Sequence, residues 1–469
     1  MAFLIGGANT ESAAYQIDNS GLFNDGQSQA LTRTHGASGS TRTFTFSCWV
    51  KFSDPKTGSS ASDCCHGIFA SEEEAGHQFF ISTDEGQIFR IADYQDGSYN
   101  LHLQTNRKFR DHSAWYHFCI IFDTTDGTQG DRCKLFVNGV RETSFSTEVY
   151  PSQNTDLYGN GNQAHFIGRR GGSNTMYFDG YIADVNFIDG TAAAATEFGE
   201  TNDNGVWIPK KYGGSYGNNG FFLEFGNTGT GQGANKFASD TSGNGNHYDT
   251  NNFSGQYQMT DTPTNNFCTL NPLHKSTTDV VLSKGNTEVV SGYSSGWQHC
   301  AATMAGRNGK WYWEAKAETV SATDKTLIGV FQFDTTDVDF IGVTNTDRSS
   351  KGISGHGAGT GSYSYADDDI IMCGMDLDNN KVYWGKNGTW FGSLDPAAGS
   401  GSTTQTIDNS NFCVPAVGGY GGSIWQLNFG NPTFSISSGN TDANGYGNFE
   451  YSVPSGFFAL NTKNLAEYG

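Results

Sequence analysis

The chain has 469 residues, with 27 basic against 48 acidic side chains and a formal charge of −21. That length suits two or three domains better than one core. So acidic a composition, with only 16% of residues charged, argues against nucleic acid and anionic membranes as partners and is compatible with neutral glycans or with protein neighbours.

Met1-Ala2-Phe3-Leu4-Ile5 lacks a basic flank, and its apolar run is too short for a secretory signal. No stretch reaches the length of a membrane span. The expectation is a chain made in a cytoplasm, with no membrane insertion. From Thr43 to Phe52 apolar and polar residues alternate, which places Phe44, Phe46, Cys48 and Val50 on one strand face. Period-2 segments recur at 78–82, 87–92, 99–104, 115–122, 134–137, 165–168 and 181–188, separated by Gly, Asp and Asn turns. The Ala-rich stretch 191–198 is the one short helix expected in this half. Glu72-Glu73-Glu74 is contiguous and reads as a solvated loop.

Residues 200–285 are Gly- and Asn-rich with brief apolar runs. Their aromatics, among them Trp207, Phe221, Phe222 and Tyr248, are too many for a solvated tether, so a packed connecting region is expected. A second strand series follows: 309–317, 327–331, 370–377, 381–384, 412–417 and 423–429. Two copies of one unit stand out. An apolar strand leads through a polar turn to a short strand closing on Asn138-Gly139 or on Asn387-Gly388, a pair that accepts the positive φ angles of a two-residue hairpin turn. Helical periodicity is nearly absent, so the fold class is all-β: two β-sandwiches joined by an irregular Gly/Asn-rich region. The divisions are 1–199, 200–285, 286–432 and a tail at 433–469. Nine cysteines without a secretory signal are expected to be free thiols.

The second series resembles the SPRY domain, a concanavalin A-like sandwich. Gly309-Lys310-Trp311-Tyr312-Trp313-Glu314 is similar to that family's first signature strand. The stretches 369–377, 381–388 and Val414-Pro415-Ala416-Val417 are similar to its later motifs, over about 290–430. The first series resembles laminin-G-like jelly rolls over about 40–190, on Trp115-Tyr116-His117-Phe118, Leu135-Phe136-Val137-Asn138-Gly139-Val140 and the run from Phe178 to Val185. The tandem order, with Gly205-Val206-Trp207-Ile208-Pro209 between and Leu460-Asn461-Thr462-Lys463-Asn464-Leu465 at the end, resembles virion proteins of bacteriophages, marine ones especially, of tail-fibre or adhesin type. That resemblance implies assembly in a host cytoplasm, release by lysis, other virion proteins and host surface polysaccharide as partners, and a homo-oligomer, with a trimer favoured.

Catalysis is not expected. The paired carboxylates of sandwich glucanases, Glu-x-Asp-x-Glu, are missing. Asp376 and Asp378 share a strand face by parity but fall on strand and turn positions of the SPRY-like text. Gly213-Gly214-Ser215-Tyr216-Gly217 matches a nucleophile-elbow pattern without its β/α setting. Cys64, Cys65, His66 and His77 lack the spacing of a zinc site. Asp240, Ser242 and Asn244 place oxygen side chains at alternate positions, as a calcium loop does. The distal glutamate is missing, and a turn capped by its own side chains is the competing reading. No other cofactor is implied. Tyr363, Tyr365, Trp390 and Tyr420 lie in Gly/Ser-rich segments expected on a sandwich rim, where they could stack on sugar rings or contact a partner. The expectation is a non-enzymatic virion protein that binds host glycans through rim loops. A purely structural capsid or tail decoration protein and a polysaccharide depolymerase are the alternatives.

Overall fold

Apolar alternation in Thr43–Phe52 has the expected consequence: Phe44, Phe46, Cys48 and Val50 enter one core, each fully buried. A computed structural model describes residues 4–5, 15–56, 65–74, 76–171, 176–292, 298–320, 326–332, 350–354, 365–401, 405–407, 410–419 and 421–469. The chain divides into two compact units, one of Glu11–Thr264 and one of Met1–Thr10 with Asn265–Gly469.

Two large sheets and a two-stranded one, Gly199–Thr201 with Trp207–Pro209, make up the first unit. One runs in the order Val140–Arg141, Cys133–Val137, Tyr116–Asp123, Thr43–Phe52, Gly180–Asp189, Ser20–Phe23, Gln258–Met259, with Phe221–Leu223 also on Gly180–Asp189. The other runs Phe145–Val149, Ser98–Lys108, Ile88–Gln95, His77–Asp84, Gly67–Glu74, Ala164–Ile167, Ala30–Thr34, Asp249–Asn251. Glu72-Glu73-Glu74 therefore ends a strand rather than forming a loop. Phe rings from both sheets interleave between them, as Phe44 does on Phe122 at 4.4 Å and Phe89 on Phe118 at 4.3 Å.

The stretch read as a connecting region at 200–285 is divided in the structure. Residues up to 264 belong to the first unit and supply three strands to its two large sheets, Phe221–Leu223, Asp249–Asn251 and Gln258–Met259. They also cover the outer face of the first sheet: together with Phe198, Tyr212 and Tyr216 pack on Cys119, Ile121 and Ile188. This is why Thr43–Phe52 is buried on both faces, a pattern its simple alternation does not announce. The helix expected at 191–198 is reduced to a 3-10 turn, Ala195–Glu197.

A five-stranded and a nine-stranded sheet form the second unit around Trp311, Trp313, Trp384 and Trp425. Its C-terminal tail is part of the fold. Phe458–Ala459 pairs in parallel with Lys310–Thr319, and Phe449, Phe457 and Ala459 close a second cluster on Tyr312, Met372 and Tyr383. Buried Glu314 holds this tail: its carboxylate accepts Glu450 N (2.9 Å), Tyr451 N (2.8 Å), Tyr312 Oη and Asn428 Nδ2. The chain ends in the helix Thr462–Tyr468, capped by the Asn461 side chain.

The two Asn-Gly hairpins are alike to the hydrogen bond. Both central residues have positive φ in each turn, 48° and 75° at Asn138-Gly139, 49° and 84° at Asn387-Gly388. Each Asn side chain also accepts a backbone N–H at the start of the neighbouring strand: His117 N at 2.7 Å and Ile370 N at 2.9 Å. Seven cysteines are free and buried, as expected, whereas Cys65 is disulfide-bonded. Among the described residues no helix is long and apolar enough to cross a membrane.

Candidate functional site

Gly180–Asp189 pairs with Thr43–Phe52 along one side, interrupted by a bulge between Ala183 and Asn186. Its other side is shared. Residues Gly180 to Ile182 pair with Ser20–Phe23, and Val185 to Phe187 pair with Phe221–Leu223. The two short partner strands leave a break opposite Asp184. Residues 15–19, leading into one strand, and Glu224 and Gly226, leaving the other, diverge there. With Asp184 they line a cavity of about 210 Å³. Bulges commonly re-aim a side chain next to a functional site. Asp184 sits at φ 52°, a conformation costly for a non-glycine residue.

The residue is 3% exposed. Oδ1 accepts the Tyr15 hydroxyl at 2.8 Å, while Asn186 Nδ2 donates to the Asp184 carbonyl at 3.0 Å and to Oδ2 at 3.4 Å. Tyr216 Oη in turn donates to Asn186 Oδ1 at 2.8 Å. Burial pushes the Asp184 carboxyl up to about 7, against the lowering effect of the Tyr15 hydrogen bond and with added repulsion from Glu224. Lys211 stands 3.7 Å from Glu224 and over the rings of Tyr15 and Phe222. Near neutral pH the cavity therefore offers one carboxyl able to donate or accept, a phenol, and a Glu224 carboxylate with its counter-ion. Such a set suits the hydroxyl groups of a polar ligand.

The expected rim patch is not brought together among the described residues. Tyr363 and Tyr420 lie outside them. Tyr365 is a correction: it is buried at 6% exposure, donates to the Thr326 carbonyl at 2.8 Å and packs 5.4 Å from Trp425. Its neighbouring glycines suggested a loop, but the ring fills the core. Trp390 is half-buried against the tail cluster, 6.4 Å from Tyr312.

Asp240 takes part in a turn closed by its own side chains. Its Oδ1 accepts Phe222 N and Ser242 N and its Oδ2 accepts Asn246 N, while Asn244 Nδ2 donates to the Gly217 and Gly220 carbonyls. The Asp240 oxygens are thus committed to backbone amides, and the Ser242 hydroxyl accepts Asn244 N. Among the described residues no cluster of three His, Cys, Asp or Glu is placed to hold a metal ion. The neighbouring carboxylates Asp25, Asp54 and Asp179 are met by the buried Lys56 ammonium, which pairs with Asp25 and lies 3.4 Å from Asp54. Asp376 holds Lys310 and Asn379, and Asp378 accepts Gly309 N; both carboxylates work within the fold.

Sequence reasoning missed Tyr15, Asp184 and Glu224. One signal was available: Asp184 interrupts the apolar run Tyr181-Ile182-Ala183-Asp184-Val185, and a carboxylate inside a buried strand needs a reason.

Residues 24–197 match the family described as the concanavalin A-like lectin/glucanases superfamily, which bears out the resemblance read over about 40–190. No curated protein matches the chain. Among solved structures, the SPRY domain of human HERC1 is similar at 18% identity over 34% of this chain and 96% of that one, TM-score 0.27. A SAP-like pentraxin from Limulus polyphemus is similar at 14% identity over 39% and 80%, TM-score 0.29. Domain 4 of AbnA, a GH43 extracellular arabinanase from Geobacillus stearothermophilus solved with arabinotriose, is similar at 15% identity over 40% and 78%, TM-score 0.28. The first sandwich is thus similar, over residues 24–197, to the concanavalin A-like lectin/glucanases superfamily.

Proposed function

We propose that this protein is a non-enzymatic glycan-binding component of a virion, of tail-fibre or adhesin type, and that the Asp184 cavity is a sugar site. One observation carries the glycan reading: a polar cavity built on a bulged strand, within a sandwich whose sequence matches a lectin/glucanase family. At about 210 Å³ it is smaller than the roughly 300–1,000 Å³ of drug-sized ligand pockets, so a single sugar unit suits it. Support for the virion setting comes from the tandem order and the motifs between and after the two sandwiches. Weak single sites suit such a particle, because many copies in a homo-oligomer, a trimer being favoured, convert low affinity into avidity.

A glycan array probed with the full chain, wild type against Tyr15→Phe and Asp184→Asn, tests this. Loss of the phenol or of the titrating carboxyl is expected to weaken binding by about tenfold or more. Wild-type binding by both variants, provided their melting curves are unchanged, would remove the cavity from the account. Release of reducing sugar from host polysaccharide would overturn the non-enzymatic assignment and favour a depolymerase.

A further inference from the structure

In a chain with a −21 balance, three arginines converge on one sheet face of the first unit. Across Ala164–Ile167, Gly67–Glu74, His77–Asp84, Ile88–Gln95 and Ser98–Lys108, the residues Phe166, Ala70, Phe80, Ala92 and His102 stand in register as one transverse row. Their strand neighbours Phe69, Phe79, Ile81, Ile91 and Leu103 enter the core, so by alternation this row faces the other way. Three guanidinium groups lie over it. Arg170 is 3.7 Å and Arg90 5.0 Å from the Phe80 ring centroid, and Arg169 is 4.1 Å from that of Phe166.

Arg90 and Arg170 differ in how their charges are met. Arg90 pairs with Asp84 at 2.8 Å and donates to the Tyr99 hydroxyl at 2.7 Å. Arg170 donates to the Met176 sulfur at 3.4 Å, a weak acceptor, and its Nε has no partner among the described residues. Burial and the neighbouring Arg90 charge lower the Arg170 guanidinium to about 10, so an added anion would relieve both costs. Tyr99 is exposed and stacks on His102 at 4.4 Å, adding a flat apolar surface beside the charges.

We propose that this sheet face binds an acidic sugar of a polysaccharide, with the planar forks of Arg170 and Arg90 taking its carboxylate or sulfate and the Tyr99 ring supporting the pyranose. Guanidinium matches both acid groups bidentately, and an aromatic platform separates a sugar polymer from a bare polyanion. The inference rests on the glycan-binding reading and narrows it to a class of polymer, at a place distinct from the Asp184 cavity.

Full-length protein would be titrated with polygalacturonate, with a sulfated galactan and with neutral dextran. A DNA oligonucleotide serves as a polyanion without pyranose rings. Binding of either acidic glycan, weakened about tenfold by Arg170→Gln and strongly reduced between about 0.05 and 0.5 M salt, is the expected result. Which of the two binds assigns carboxylate or sulfate. Arg170→Lys, which keeps the charge and loses the fork, is expected to fall between wild type and Arg170→Gln, and so guards against a folding defect. Equal binding of dextran or DNA, or unchanged affinity in Arg170→Gln, would overturn the inference. Neutral glycans bound at the cavity with no acidic glycan bound would sink this proposal alone; no glycan bound at all would sink both.

Discussion

Lys51 and Asp261 form an ion pair at 2.8 Å with side chains 2% and 0% exposed. The other Asp261 oxygen accepts Trp115 Nε1 at 3.0 Å, and Ser20 Oγ donates to the Asp261 carbonyl at 2.6 Å. One residue near the end of the first unit thereby ties together two strands and the Trp115 turn. At 2.8 Å and an effective dielectric constant of about 20, the pair attraction is about 6 kcal/mol. Desolvating both ions offsets most of it. Lys51→Met removes the attraction and leaves the carboxylate buried, at an expected cost of about 3–5 kcal/mol. For a unit of this size that corresponds to a melting temperature lower by about 6–20 °C. Calorimetry of the full chain reads the shift, and hydrogen exchange localises it to Thr43–Phe52 and Gln258–Met259. Replacing both partners, Lys51→Met with Asp261→Leu, should recover most of the loss, because no unpaired charge remains. A single-variant cost under about 1 kcal/mol, or a double variant worse than the single, would refute the reasoning.

Glu314→Gln replaces one of the two carboxylate oxygens that accept the Glu450 and Tyr451 amides, one each, with a donor NH2 group. It should cost about 2 kcal/mol, seen as faster hydrogen exchange around 449–451, with the Trp311–Trp384 core unchanged. His35 and His165 stack at 3.7 Å inside the first unit, and burial lowers them to about 2 and about 3. Both stay neutral when folded but take up protons near 6.5 when unfolded, so their contribution is full above 6.5 and is lost as pH falls below it. The loss approaches about 1.4 kcal/mol per pH unit for each histidine. Urea unfolding at pH 7 and pH 5 should show a shallower acid loss in His165→Phe than in wild type; parallel curves would count against this origin.

Much of the fold was legible in the sequence, because strand alternation and turn chemistry are local. Phe44, Phe46, Cys48 and Val50 share a face since successive side chains of any strand oppose one another. The hairpins at Asn138-Gly139 and Asn387-Gly388 form because those residues tolerate positive φ. The order of the two sandwiches follows from motifs along the chain.

Tertiary structure decided what depends on partners distant in sequence. Residues 200–264 lack strong periodicity, and only the exposed edges and outer face of the first sheet make strands and cover of them. Tyr365 had the local text of a rim residue and became core, because Thr326 and Trp425 surround it. The Asp184 cavity joins residues 15–19, 184, 224 and 226, and exists only where two short strands fail to meet beside a bulge. Local sequence sets which way a side chain points from its own strand; which neighbour it meets is set by pairing between segments far apart in the chain, and in this protein the candidate sites are made of such meetings.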